Sequence, residues 1–215
     1  MKLIQPAFSR TSECRNMPHA RSDVLESYAA KYERIFGLSS ESLRGITDKF
    51  VSVLDEGLQK PDQTVPMIPT YVFGWPRGDE KGSYLALDLG GTNLRVCHVE
   101  LTGNRKFEIT QAKFRLTDEQ KQEDGTKLFD FCAQCCKDFI DQRCSLSGDK
   151  LPLSLGFTFS YPTSQERIDH GVLIRWTKGF GNPGVEGNDC AQLLRDSLAR
   201  LDVPVNIVSI MCVEC

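Results

Sequence analysis

An acid, two glycines, a hydroxyl, an amide and a guanidinium stand close together in Asp88-Leu89-Gly90-Gly91-Thr92-Asn93-Leu94-Arg95. An apolar run, Tyr84 to Leu87, delivers the acid at its tip. Glycines permit positive φ and let a ligand approach the backbone closely. Thr92 offers a hydroxyl, Asn93 tolerates a left-handed turn, and Arg95 sets a fixed positive charge on the outgoing segment. Backbone N–H groups in such a turn cradle phosphate oxygens. Asp88 is then placed to hold Mg²⁺ through water, because Mg²⁺ keeps much of its hydration shell. An ordinary hairpin explains the same residues, since D-x-G-G turns are common. The segment is not a Walker A loop, which needs GK[ST], nor a dinucleotide fingerprint, which needs GxGxxG opening a helix.

A second segment, Leu155 to Phe180, reads LGFTFSYPTSQERIDHGVLIRWTKGF. A strand ends at Ser160 and Tyr161-Pro162 turns the chain outward, a usual place for binding groups. Ser160 and Thr177 supply neutral hydroxyls. Lys178 supplies a charge that can offset a transferring phosphoryl group. The competing reading is a surface loop with a solvated lysine. His170 has no Ser or Asp arrangement that would make it a general base, and is read as a surface-loop histidine.

These residues need elements to position them. Leu25, Tyr28, Tyr32 and Ile35 predict a helix over 23–36, with Gly37 as its stop. Ser39 or Ser40 caps the next helix, along which Leu43, Ile46, Phe50, Val53 and Leu58 form a stripe. The stretch 61–82 is rich in Pro and Gly and reads as an extended connector. Strands follow at 84–88, 95–101 and 107–116, then a helix at 125–141, a strand at 151–159, a helix at 189–201 and a strand from 204 to 211. That order is α/β, with a mixed sheet and flanking helices. Residues 1–20 read as a mobile tail.

Composition sets the frame. The chain has 215 residues, 40% hydrophobic and 26% charged, which suits one full domain or a domain and part of another. A net charge of −3 argues against a nucleic-acid binder. No apolar run is long enough to span a bilayer, and MKLIQPAFSR lacks a signal-peptide core, so the expected location is the cytosol. Of the nine cysteines, Cys132 and Cys135 form a CxxC. They share a helical period with Leu128 and Phe139, which reads as a core face rather than a zinc or redox site.

Taken together, DLGGTNLRV, FTFSYPTSQ and RWTKGF, in this order, resemble the eukaryotic hexokinase family, and YVFGWPRGDEKGSYLALDLGGTNLRV resembles its fungal members. The resemblance covers about Asp23 to Ile210. It implies the actin-like ATPase (ribonuclease H-like) fold, of which this chain carries the small domain over 21–211, with the large domain absent. It implies transfer of the ATP γ-phosphoryl group to the 6-hydroxyl of glucose, fructose or mannose, the first step of glycolysis, with Mg²⁺ as cofactor. Asp88, Gly90, Gly91, Thr92, Asn93 and Arg95 match the motif that holds ATP phosphates, with Asp88 toward Mg²⁺. Ser160, Thr177 and Lys178 match residues that bind hexose hydroxyls, Lys178 also supporting catalysis.

The family ends the strand after a Leu-x-Pro segment in Asn-Asp, the Asp taking the proton from the attacking hydroxyl. Here Cys212 and Val213 stand at those positions and residues 212–215 diverge. The expectation is therefore a chain truncated before its catalytic Asp, with negligible activity alone. A non-catalytic sugar-binding or regulatory protein is the alternative. The last strand, with nothing after it to cover it, is expected to invite self-association.

Overall fold

The computed structural model describes residues 19–143 and 152–212. The expected mobile tail, apart from its last two residues, lies outside these, as do Cys14, Cys144, Leu151, Val213 and Cys215. The chain divides into two compact units, Met1–Asp55 and Glu56–Cys215.

In the first unit, helix α1 runs His19–Phe36 and helix α2 begins at Ser40, continuing across the division to Gln59. Ser39 is the cap, not Ser40: its hydroxyl accepts the Ser42 N–H at 3.0 Å, satisfying one of the donors that the first turn leaves free. The apolar stripes expected on both helices stand exposed except at the half-buried Val53, Tyr32 and Phe36 stacking with centroids 6.1 Å apart.

The second unit holds the sheet. Its strands are β1 Lys81–Leu89, β2 Asn93–Gly103, β3 Lys106–Arg115, β4 Leu153–Phe159 and, after a separate hairpin, β7 Val205–Met211. Their spatial order is β3-β2-β1-β4-β7. The first three pair antiparallel as the expected meander, while β1–β4 and β4–β7 are parallel. Parallel neighbours require crossovers, and helices α3 Gly125–Arg143 and α4 Cys190–Arg200 supply them. This is the α/β layout with a mixed sheet predicted from the alternation of apolar runs.

One face of the sheet packs on those helices. Leu85, Leu87 and Leu89 of β1 alternate inward with Leu94 and Val96 of β2 and with Leu153, Leu155, Phe157 and Phe159 of β4. Leu128, Cys132, Cys135, Cys136 and Phe139 of α3 meet them in the same core. Cys132 and Cys135 thus lie in the core, as their helical period implied. Burial, with a smaller push from Asp138, raises the Cys135 thiol to about 12, and burial drives Cys132 and Cys136 upward too.

Residues 163–173 are not the loop that the sequence reading left there. They form a hairpin, β5 Thr163–Arg167 with β6 His170–Leu173. Its inward side chains on β5 are the polar Thr163 and Gln165, so the apolar alternation that marks a strand is missing. His170 is accordingly not a surface-loop residue. It sits in β6 with its Nε2 3.9 Å from the Asp189 carboxylate. Asp189 also caps α4 through the Ala191 N–H and accepts the Gly171 N–H, each at 3.0 Å, so one carboxylate joins hairpin and helix.

The hairpin also closes part of the β7 edge. The Ile210 N–H donates to Ile168 O at 2.8 Å, and the Gln165 amide donates to Ile210 O at 3.0 Å and His170 O at 3.2 Å. The last strand is therefore less open than its position in the sequence suggested, although Val208 and Met211 remain exposed.

Candidate functional site

The site lies at the tips of β1 and β4. Asp88 and Arg95 are register partners across β1 and β2, and their side chains meet, Arg95 Nη1 to Asp88 Oδ2, at 3.4 Å. Both are substantially exposed, so the pair is open to exchange with an incoming anion or cation. The turn between the strands closes through Gly90 N–H to Asn93 O at 3.0 Å, and the Leu116 N–H donates to Thr92 O at 3.1 Å. The backbone N–H groups of Gly91 and Thr92 have no acceptor among the described residues. Two free donors beside a guanidinium form a surface suited to phosphate oxygens.

Neither glycine works as the sequence suggested. Gly90 and Gly91 both have negative-φ or extended backbone, and Asn93 is not left-handed either. Gly91 is needed for space: a Cβ there would lie 3.0 Å from Cδ and 3.1 Å from Cβ of Lys178. The residue that carries a positive φ, 56°, is Lys178 itself. A non-glycine residue in that region stores backbone strain that its surroundings must hold.

Those surroundings are explicit. Lys178 Nζ donates to the Ser160 backbone carbonyl at 2.8 Å and lies 5.3 Å from the Tyr161 ring centroid, within cation–π range. The Tyr161 hydroxyl donates to Gly90 O at 3.2 Å, and the Ser160 N–H donates to Leu89 O at 3.3 Å. Sequence reasoning placed the Ser160 hydroxyl in the site. The structure shows its carbonyl as the partner of Lys178 and leaves the hydroxyl uncommitted. Thr177 stands beside Lys178 with its Oγ1 buried and without a partner among the described residues. A buried hydroxyl without a hydrogen bond is costly, and a ligand hydroxyl would relieve it.

An aromatic cluster supports this loop. Tyr161 packs against Phe159, Trp176 and Phe180 with centroids 4.8, 4.8 and 5.1 Å away. The Trp176 indole N–H donates to Asn182 O at 3.0 Å, and the Asn182 amide donates to Gln120 O and Glu123 O at 2.8 and 2.7 Å. Gln122 reaches Gly179 O at 2.7 Å. Sequence reasoning gave Gln165, Trp176 and Asn182 no role of their own and read Tyr161 only as part of an outward turn, whereas its side chain is fully buried. Their one signal was an aromatic or amide residue within a segment otherwise read as loop.

No group of three or more His, Cys, Asp or Glu side chains gathers for a metal among the described residues. A lone carboxylate fits a Mg²⁺ that keeps its waters and takes its other ligands from a triphosphate, and does not fit an all-protein cage. No helix among the described residues is long and apolar enough to cross a membrane.

At the β7 tip, Cys212 is buried, its Sγ 3.0 Å from Tyr161 O. Position 212 is thus turned into the protein. The neighbouring Val213 lies outside the described residues.

Comparison with known proteins agrees with this arrangement. The family model described as Hexokinase matches residues 28–212. The hexokinase of Kluyveromyces lactis is 48% identical over 179 residues, which cover 83% of this chain and 37% of that protein. Hexokinase-2 of Saccharomyces cerevisiae is 42% identical over 204 residues, covering 94% of this chain and 41% of that protein. Among solved structures, the Schistosoma mansoni hexokinase complexed with glucose superposes with a TM-score of 0.69 at 35% identity, covering 88% of this chain and 43% of that one. The chain spans about two-fifths of the length of these relatives. With its strand-tip turn, its lysine-bearing loop and this match over 28–212, the chain belongs to the hexokinase family.

Proposed function

We propose that this chain provides the phosphate turn and part of the hexose site of an ATP-dependent hexose 6-kinase acting in the cytosol. The observation that supports it is the cluster in which Lys178 donates to the Ser160 carbonyl and packs beside Gly91 while the Tyr161 hydroxyl donates to Gly90 O. Gly91 and Thr92 N–H, with Arg95, face the ATP phosphates. Asp88 orients Mg²⁺ through water. Thr177 Oγ1, Ser160 and Lys178 engage hexose hydroxyls, in keeping with the glucose bound by the Schistosoma relative. In the reaction the hexose O6 forms the new P–O bond, the bond to the β,γ-bridging oxygen breaks, and the O6 proton must leave to a base. The Arg95 and Lys178 cations offset the charge that spreads over the transferring group, to which a Mg²⁺ held through Asp88 would add.

The base is the piece this chain lacks in the assigned set. The family pattern places it at Val213, which accepts no proton, and losing a general base typically costs about 10²–10⁴-fold. The chain alone therefore binds its ligands weakly and turns over negligibly. Isothermal titration with glucose, paired with a coupled phosphorylation assay, tests this. Millimolar binding is expected, weakened about tenfold by Thr177→Val as one hydrogen bond is lost. Absence of any glucose binding overturns the sugar site, and turnover clearly above a vector control overturns the assigned need for a base at 213.

A further inference from the structure

We infer that Gly91 is a positioning residue for Lys178. On this account its missing side chain serves the lysine of the facing loop, and the role is separate from any approach of phosphate to the turn. Three observations meet here. Gly91 does not use the left-handed region, so backbone freedom does not explain it. The three atoms nearest a Cβ built at Gly91 are the Cδ, Cβ and Cγ of Lys178, whereas at Gly90 the neighbour is Asn93 O at 3.5 Å. Lys178 meanwhile holds a positive φ of 56° and spends its amine on Ser160 O, so neither its backbone nor its tip is free to give way. Contacts at 3.0–3.1 Å are tighter than ordinary carbon–carbon packing, so a side chain at 91 makes the lysine stem give by a few tenths of an ångström.

The two glycines of the turn thus have different duties. Gly90 anchors the turn through its N–H to Asn93 and its carbonyl from Tyr161. Gly91 opens a slot through which Lys178 reaches across. Any substitution at 91 acts first on the lysine that the proposed function assigns to the sugar, and only through it on the phosphates. The consequence for ligands rests on that proposed function, but the contact does not, so the test uses no ligand.

A stability cycle in the full chain compares Gly91→Ala, Lys178→Gly and the double variant, glycine at 178 removing the Cβ as well as the stem and suiting the positive φ there. Gly91→Ala should lower the melting temperature by about 3–10 °C, the scale of a modest overpacking in a domain this size. With the Lys178 side chain removed, the same change should cost less than half as much. If Gly91→Ala fails to fold alone but folds in the Lys178→Gly background, the inference stands. Equal cost in both backgrounds, no cost in either, or failure to fold in both overturns it. A second readout is spectroscopic. In ¹³C-dimethylated protein the Lys178 methyl signal, identified by its loss in Lys178→Gly, should be displaced by the Tyr161 ring current. It should move toward the other lysines in Gly91→Ala, and an unmoved signal contradicts the proposal.

Discussion

The tips of β1 and β7 lie in one sheet, separated only by β4, yet they are finished in opposite ways. The β1 tip is open and polar. It carries an exposed ion pair, two uncommitted N–H groups and a turn held by one backbone hydrogen bond of its own. The β7 tip is closed. Gln165 grips its Ile210 carbonyl, Ile168 O takes its Ile210 N–H, and Cys212 is buried against Tyr161. The β1 tip spends little stability on itself and leaves its groups for a ligand. At the β7 tip the groups are consumed by the fold. Tyr161 belongs to both, since its hydroxyl reaches Gly90 and its carbonyl meets Cys212.

The largest blow to this contrast is Tyr161→Ala. The ring is fully buried among three aromatics, so its loss should cost about 3–5 kcal/mol in urea denaturation and loosen both tips together. A loss below about 1 kcal/mol would show that the tips are independent. Next comes Gln165→Leu, which strips the Ile210 carbonyl, in a buried bond, and the His170 carbonyl, in a part-buried one, of this donor. It should cost about 1–3 kcal/mol, with faster amide exchange in β7 and unchanged exchange in the β1–β2 turn. Arg95→Gln should do the reverse. Its half-exposed pair with Asp88 contributes under about 1 kcal/mol to stability, so unfolding should barely change while tripolyphosphate affinity falls several-fold.

The smallest effect lies away from both tips. Glu80 accepts the Arg77 and Gly78 N–H groups at 2.7 Å each, and the Arg77 bond foremost holds its carboxyl below the ordinary value of 4.5. A lowered folded value means that these bonds are present above that ordinary value and lost as pH falls through the lowered one. Arg77 and Gly78 amide shifts should therefore titrate with a midpoint below 4.5, and a midpoint at or above it would contradict the geometry.

Most of the fold was legible in the sequence because most strands here alternate apolar and other residues against one helical layer. Leu85-Leu87-Leu89 and Leu153-Leu155-Phe157-Phe159 state their own burial. The β5–β6 hairpin was not legible, because Thr163 and Gln165 are buried for hydrogen bonding, and polar burial leaves no apolar period. The residues proposed for the site stand in motifs, but the motifs do not state what each residue does in the fold. A glycine pair looks the same whether it is needed for φ or for space, and the difference appears only when Lys178, far along the chain, is placed beside Gly91. Likewise a serine at a strand tip advertises its hydroxyl, while Lys178 takes its carbonyl.

The central claim is that the open tip and its facing loop form one ligand surface, in which phosphate and sugar partners are distinct. Residue-resolved NMR titration of the whole chain with MgATP and, separately, with glucose tests it most directly. MgATP should shift Gly91, Thr92 and Arg95 first, glucose should shift Ser160, Thr177 and Lys178 first, and the β7 edge at Val205–Val208 should stay still in both. Shifts confined to other regions, or the same residues answering both ligands without preference, would contradict the account.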